Sequence, residues 1–311
     1  MTMKKILALV LALTMITVLF AACGGNETPT TTAAPDASQA STEAPSDLPA
    51  DDTNAGAKVK TIDISLTDEL YAFGVNKEQP ELLEKTNAYI AQIKADGTLE
   101  AIVAKYFSED GEPAVIASAE EDASKEQLVV ATNAAFPPFE STEGDAYTGI
   151  DIEIMAGLAE SLGKELVIKN VEFSSVFSTV DAGYADITAS GITINESRKE
   201  FVDFTDSYYT ASQIIIAPAD DTAFDGCATL EDVEAVLASF TADTVIGVQK
   251  GTTGQFYVEG DEDWGFDGLA ATCKAYDSGA LAVSDMVNGN VQYVIIDEAP
   301  AKSIAASVNE G

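Results

Sequence analysis

From Lys58 onward the sequence alternates short β-branched runs with longer amphipathic stretches, and this alternation constrains the fold more than any other feature. In the stretch that Pro80 opens and Gly97 closes, apolar side chains recur on one helical face. Strand-forming runs that alternate with helices predict an α/β fold with largely parallel sheets. The runs are VKTIDIS, LYAFGV, QLVVAT, ELVIKNV, ADITAS, QIIIAP, TVIGVQ, TCKAY and VQYVIID.

The size of the folded part predicts two lobes, because a single hydrophobic core seldom grows past about 250 residues. Residues 111–126, GEPAVIASAEEDASKE, interrupt the alternation with small and acidic residues. We expect this segment to be a surface connection.

The charge balance excludes several classes of function. The chain of 311 residues has 52 acidic and 16 basic residues, a formal net charge of −36 and no histidine. Such acidity opposes binding to nucleic acid or to an anionic membrane surface. The lack of histidine excludes Ser-His hydrolysis and His-ligated zinc. We therefore expect no metal, no cofactor and no nucleic-acid partner.

The N-terminus indicates export. Residues 1–22 place two lysines before an apolar run, which is typical of a signal peptide; a membrane-spanning anchor is the alternative. Ala21 to Gly24 resembles the bacterial lipobox, in which Cys23 is acylated, although Phe20 departs from its usual aliphatic residue. Residues 23–57 are predicted to be a disordered linker. We expect an extracytoplasmic protein on the outer face of a bacterial cell membrane, held there through this lipid anchor only.

Polar, glycine and aromatic residues follow several strand-forming runs, where ligands bind in open α/β sheets. Arg198 is the only arginine of the chain, and its planar guanidinium matches a carboxylate. With Asp297 as an anion, the set suits a zwitterion. The candidates are Asn133, Phe136, Phe173, Gly191, Thr193, Arg198, Thr252, Thr253 and Asp297.

Each candidate also has a plainer interpretation. Arg198 could begin a solvated helix, Asp297 could cap the following helix, and the two phenylalanines could belong to the core. The GTTG loop at 251–254 lacks the GK[ST] ending of a P-loop, which argues against nucleotide binding.

Four segments carry a resemblance to a known family: LVVATNAAFPPFE, GITINESRKEFVDFTDSYY, VIGVQKGTTG and YVIIDEAPA. The chain resembles the extracellular solute-binding proteins of family 3, the receptors of polar amino-acid ABC importers. The resemblance implies a two-lobed periplasmic-binding-protein-like (type II) fold with a hinge. It also implies an amino-acid ligand and ABC permease subunits as partners.

The resemblance assigns roles to the candidates. It implies that Arg198 and Thr193 hold the ligand α-carboxylate, and that Asp297 and the Gly191 backbone hold the α-amino group. Asn133, Phe136, Phe173, Thr252 and Thr253 would surround the rest of the ligand. Asn133 stands where relatives that bind basic ligands tend to have an acidic residue, so we expect a polar neutral amino acid.

The order of the segments departs from the family, because the block VKTIDIS to VAKYF, which normally comes last, comes first. We interpret this as a circular permutation with residues 111–126 as the join. The solute-binding domain would span 58–311, with lobe 1 at about 70–212 and lobe 2 at about 213–311 plus 58–68. We expect a monomer; exchange of the first block between two molecules is the alternative.

Two other functions remain open on this fold: a cyclohexadienyl-dehydratase-like enzyme and a ligand-sensing module. We expect no enzyme, because Asp297 is the one obvious acid or base and an ion-paired role explains it better. Cys227 and Cys273 either form a disulfide or are two buried thiols, and the sequence does not distinguish these alternatives.

Overall fold

Two five-stranded sheets organise the part of the chain that the structure, a computed structural model, describes: residues 57–108 and 110–311. The predicted signal peptide, Cys23 and nearly all of the predicted linker lie outside these residues. The strands are β1 (Val59–Ile62), β2 (Glu69–Tyr71), β3 (Gly74–Asn76), β4 (Gln127–Thr132), β5 (Ala135–Phe136), β6 (Glu140–Glu143), β7 (Ala146–Thr148), β8 (Glu165–Asn170), β9 (Ile187–Thr188), β10 (Val202–Phe204), β11 (Tyr209–Ala211), β12 (Gln213–Pro218), β13 (Val245–Gln249), β14 (Thr272–Tyr276) and β15 (Tyr293–Asp297).

The helices flank these sheets, and a 3₁₀ turn spans Arg198–Glu200. No helix among the described residues is long and apolar enough to cross a membrane. The helices are α1 (Pro80–Ala95), α2 (Thr98–Phe107), α3 (Ile150–Ser161), α4 (Phe173–Asp181), α5 (Leu230–Ala238), α6 (Thr253–Glu259), α7 (Gly279–Val287) and α8 (Glu298–Glu310).

The two sheets define two lobes. The first lobe contains the sheet with strand order β10-β3-β9-β4-β8 and helices α1 to α4. The second lobe contains the sheet with order β1-β12-β15-β13-β14 and helices α5 to α8. Strands β5 to β7 form a small separate sheet.

The sheets are mixed, so the expectation of largely parallel sheets was wrong. Strands β4, β8 and β9 are parallel, as are β13, β14 and β15. Strand β3 is antiparallel to both of its neighbours, and β12 is antiparallel to both β1 and β15. These reversed strands adjoin the segments that cross between the lobes, so their direction follows from the crossing and not from a βαβ unit.

The two crossing segments pair with each other. The run LYAFGV, predicted as one strand, is divided: Glu69–Tyr71 forms β2 and Gly74–Asn76 enters the first sheet as β3. Strand β2 pairs with β11, which lies on the return crossing between β10 and β12. A short antiparallel ribbon therefore joins the lobes.

The first long helix begins and ends as the sequence predicts. Pro80 is at the first helical position, where its missing N–H is not needed. Gly97 follows the helix with φ +83°, a left-handed conformation that glycine adopts without strain. Leu82, Ile90 and Ile93 are the buried apolar side chains of α1.

The two cysteines of the second lobe are free thiols in the structure. Both are half-buried and pack against the apolar cluster that contains Phe224, Val233 and Ile295. Burial raises the pKa of the Cys273 thiol to about 12. The thiol of Cys273 is therefore a weak nucleophile at neutral pH.

Candidate functional site

A small cavity lies where the carboxyl ends of strands from both lobes meet. Its volume is about 10 Å³, near the minimum that holds one water molecule. The first lobe supplies five of the lining residues and the second lobe four. They are Phe136, Phe173, Gly191, Thr193, Arg198, Gln249, Thr252, Thr253 and Asp297.

Arg198 is a buried cation without an anionic partner of its own. Its side chain is buried in the 3₁₀ turn, and Nη1 donates to the Thr193 carbonyl at 2.7 Å. Nη2 donates to the carbonyl of Gly251 in the second lobe at 3.1 Å. No carboxylate of the described residues forms an ion pair with the guanidinium. Arg198 does begin a short helical turn, but its side chain is buried, so the alternative of a solvated helix start is not met.

Aromatic rings surround the same guanidinium. The Arg198 Cζ lies 5.6 Å from the ring centroid of Phe173, 5.2 Å from that of Phe177 and 4.9 Å from that of Trp264. These rings remove water and favour the cation through their faces. Burial lowers the pKa of Arg198 to about 10, so the side chain stays charged at neutral pH.

Asp297 is the carboxyl group that lines the cavity. It is the last residue of β15 and stands at the position before α8, but its side chain makes no capping hydrogen bond. The Tyr71 hydroxyl donates to its Oδ1. Burial, together with the nearby Glu69 carboxylate, raises the pKa of the Asp297 carboxyl to about 7.

Glu69 is a buried acidic residue that the sequence analysis missed. Its Oε2 accepts from the Thr193 hydroxyl at 2.6 Å and from the Thr253 hydroxyl at 2.7 Å. Its Oε1 accepts from the Thr67 hydroxyl at 2.6 Å and from the Gln213 amide at 2.9 Å. The hydroxyl of Thr193, which the resemblance assigned to a ligand carboxylate, therefore already donates to a carboxylate of the chain.

Asn133 does not line the cavity but lies behind it. Its Nδ2 donates to the Val171 carbonyl at 2.9 Å, and its Oδ1 accepts from Gln249 Nε2 at 3.1 Å. This amide pair joins the lobes at a second point. Gln249 was also missed by the sequence analysis. Thr252 donates its hydroxyl proton to the Gln249 carbonyl at 2.8 Å.

Gly191 can only be glycine in this structure. Its φ is +53°, and a Cβ atom would lie 2.8 Å from the Phe136 ring and 3.2 Å from the Tyr71 ring. Its N–H donates to Asp151 at 2.9 Å. The close approach holds the backbone of residue 191 against the cavity and buries Phe136.

Two further carboxyl groups are buried beneath the site. Asp151 also accepts from the Tyr208 hydroxyl, and Glu140 accepts from the Ser190 hydroxyl at 2.9 Å. Burial raises the pKa of Asp151 to about 7. Burial and the neighbouring Asp151 raise the pKa of Glu140 well above its ordinary value. No cluster of His, Cys, Asp or Glu suited to a metal ion occurs in the described parts of the chain.

Comparison with known proteins decides the family. The model for bacterial extracellular solute-binding proteins, family 3, matches residues 11–109 and 128–292. The chain belongs to this family. The expected two-lobed type II fold is thereby confirmed, and the arrangement of a site between two lobes fits it.

Each of the following relatives is less than a third identical to the part of the chain that it matches. The arginine-binding extracellular protein ArtP of Bacillus subtilis (strain 168) is 32% identical over 42% of this chain and 47% of its own length. A probable histidine-binding protein of Neisseria gonorrhoeae is 28% identical over 55% of this chain and 58% of its own. The chain thus spans about half the length of the curated relatives it matches. A solved structure of an ancestral arginine-binding protein bound to arginine has a TM-score of 0.50, with 28% identity over 59% of this chain and 75% of that one.

The buried carboxyl groups predict a stability that falls as the pH rises. The pKa values of Asp297 and Asp151 are about 7 in the folded chain, against ordinary values of 3.8. Between pH 3.8 and about pH 7 the folded chain therefore binds more protons than the unfolded chain. The free energy of unfolding falls over this range, and this contribution to stability is lost as the pH rises through 7. We expect a higher unfolding temperature at pH 5 than at pH 7.5.

Calorimetry of two variants separates the effect of the buried carboxyl groups on the pH dependence of stability from the effect of surface charge. Asp297→Asn removes one titrating group and should reduce the difference between pH 5 and pH 7.5. Asp243→Asn, at an exposed position, should leave the difference unchanged. Equal slopes in both variants would contradict the assignment of a raised pKa to Asp297.

Proposed function

We propose that this family 3 protein is a receptor that binds one amino acid between its lobes. The observation that carries the proposal is the buried Arg198 guanidinium, which has neutral partners only, in the same cavity as the Asp297 carboxylate. An uncompensated buried charge is unfavourable and attracts an anion of suitable geometry. A zwitterion supplies that anion together with an ammonium for Asp297.

Arg198 would hold the ligand carboxylate in a charge-assisted pair. Asp297 and the Gly191 carbonyl would accept from the ammonium. Phe136 and Phe173, both buried at the cavity, would pack against the carbon atoms of the ligand. The Thr193 and Thr253 hydroxyls would not donate to the ligand directly, because both donate to Glu69. They would affect the site through Glu69.

Ligand entry requires the lobes to separate, because the cavity in this arrangement holds about one water molecule. The β2–β11 ribbon is the segment that can bend, as each strand has only three residues and joins one sheet to the other. Closure would then exclude water and strengthen the pair with Arg198.

The cavity favours a polar neutral ligand side chain. Gln249 lines it, so one amide group is present at that end of the site, and Asn133 accepts a hydrogen bond from that amide. Uncharged amides match hydrogen-bonding side chains without adding charge. Arginine and histidine, which appear as ligands in the names of the two relatives, are the competing ligands to test.

We further propose that the loaded receptor delivers its ligand to the permease subunits of an ABC importer outside the cytoplasm. Membership of an extracellular family supports this location. The anchor would be the acylated Cys23, which lies outside the described residues. We propose that the receptor acts as a monomer.

We also propose that the chain is circularly permuted relative to its family. The early block 58–107 completes the first sheet with β3, placed between β9 and β10, and completes the second sheet with β1. Residues 111–126 remain at the surface, where Ile116 pairs with Tyr147.

The position of residue 309 supports the permutation independently. The Asn309 side chain accepts from the backbone N–H of Lys58 at 2.8 Å and of Val59 at 3.1 Å, and it donates to the Val59 carbonyl at 3.0 Å. The end of α8 thus touches the beginning of β1, where the usual family order would connect them. Adjacent ends are the geometric condition for a permutation.

A reordered chain tests the permutation. We expect a protein that runs from residue 112 to 311, then through a short Gly-Ser linker to residues 58–108, to fold with an unchanged circular dichroism spectrum. Its unfolding temperature should be similar, because every contact between elements is kept. A control opened between Val248 and Gln249, inside buried β13, should not fold. An unfolded reordered chain would contradict the proposal.

Replacement of Arg198 tests the receptor. The wild-type chain is first screened against the twenty amino acids by thermal shift and calorimetry. Arg198→Ala should weaken binding of the selected amino acid at least about tenfold, because one charge-assisted pair is lost. Lys199→Ala, at the exposed neighbouring position, should leave the affinity unchanged.

Three results would contradict the receptor proposal. These are no amino acid binding to the wild type, equal affinity in Arg198→Ala, or conversion of the ligand during incubation. Recovery of unchanged ligand supports binding without catalysis, whereas a new product would favour the dehydratase-like alternative.

A further inference from the structure

Glu69 is placed where it can hold the two lobes together. It is the first residue of β2, on one of the two crossing segments, and its side chain is buried. One of its partners, Thr193, follows β9 of the first lobe. Another, Thr253, begins α6 of the second lobe. A single buried carboxylate therefore bonds to both lobes beside the ribbon that joins them.

The remaining donors lie beside the ribbon, and Gln213 belongs to the second lobe. Thr67 lies two residues before Glu69, and Gln213 begins β12 directly after the return crossing. Each carboxylate oxygen accepts two hydrogen bonds, and the four distances lie between 2.6 and 2.9 Å. The carboxylate is thus satisfied only in the arrangement in which Thr193 and Thr253 are both near.

The bonds to Glu69 determine whether the two threonine hydroxyls can donate to a ligand. A threonine hydroxyl has one hydrogen to donate. Thr193 and Thr253 both direct theirs to Glu69, and their own oxygens are 3.4 Å apart. While these bonds persist, neither hydroxyl can donate to a bound carboxylate. Arg198, whose side chain lines the same cavity, is then the group that pairs with the negative charge of such a ligand.

We propose that Glu69 is a positioning residue that latches the lobes in the closed arrangement and orients the Thr193 and Thr253 hydroxyls away from the ligand. Separation of the lobes must break the bond to one threonine at least. The latch therefore favours the closed state in the ligand-free chain and slows ligand release. Only the effect on release rests on the proposed function; the effect on the ligand-free chain does not.

The half-buried carboxylate of Asp186 does not share this geometry. Asp186 is a suitable comparison because it accepts from the Val129 N–H at 2.9 Å and from the Gln79 amide at 2.6 Å, both in the first lobe. Its loss should affect the stability of one lobe without affecting the separation of the two. It therefore serves as the matched control.

The test measures lobe separation in the full ligand-free chain. Two fluorophores are attached through unnatural amino acids at Tyr184 in the first lobe and Leu281 in the second, both of which are exposed. Single-molecule energy transfer then reports the closed fraction. We expect Glu69→Ala to shift the distribution toward the open state, Glu69→Gln to lie between it and wild type, and Asp186→Ala to match wild type.

Stopped-flow release of the amino acid found for the wild type gives the second readout. We expect release to be at least about tenfold faster in Glu69→Ala, equivalent to the loss of roughly one charge-assisted bond. Glu69→Gln should again be intermediate, since a neutral amide restores the shape but gives weaker bonds. If Glu69→Ala does not fold, Glu69→Gln carries both measurements.

Two outcomes would overturn the latch: an unchanged ligand-free distribution in both Glu69 variants, or an equal shift in Asp186→Ala. Failure of the proposed function looks different. In that case the wild type binds no amino acid, while the energy-transfer comparison of the ligand-free chains still gives its own result.

Discussion

The burial of one guanidinium without a carboxylate of its own is the constraint on which the site depends. Arg198 keeps its charge at neutral pH although burial lowers its pKa to about 10. Two backbone carbonyls and three aromatic rings hold it, and these groups position the cation without neutralising it. The chain has 52 acidic residues, yet Glu69 and Asp297, the two carboxyl groups whose charges act on Arg198, bond to other partners. In the proposed complex, the carboxylate of the ligand would supply the anion that Arg198 lacks.

The fold provides this arrangement by dividing the site between two lobes. Arg198 and Gly191 belong to the first lobe, whereas Gln249 and Asp297 end strands of the second. The paired strands β2 and β11 are the covalent link between the sheets, so the same ribbon that permits separation also carries Glu69 and Tyr71 into the site. In the proposed complex, one zwitterion would contact Arg198 of the first lobe and Asp297 of the second, and would thereby favour closure.

Much of the fold and most of the cavity lining could be predicted from the sequence, because the carboxyl ends of adjacent parallel strands meet at one edge. This rule places Gly191 and Thr193 after β9, and Asp297 at the end of β15. It does not give strand direction, so the antiparallel strands β3 and β12 were missed as such. The rule also failed for Glu69, one acidic residue among 52, because its role arises only when Thr193, Gln213 and Thr253, all distant in sequence, converge on it. Gln249 was missed because its amide meets Asn133 only across the lobes.

The most direct measurement of the central claim is a calorimetric titration of the wild-type chain with its selected amino acid and two capped analogues. One analogue has a methylated carboxylate and the other an acetylated amine. We expect strong binding of the free amino acid and an affinity at least about tenfold lower for each analogue, because Arg198 or Asp297 would lose its charged partner. Equal affinity for all three compounds would show that the buried guanidinium and carboxylate do not hold the ends of a zwitterion.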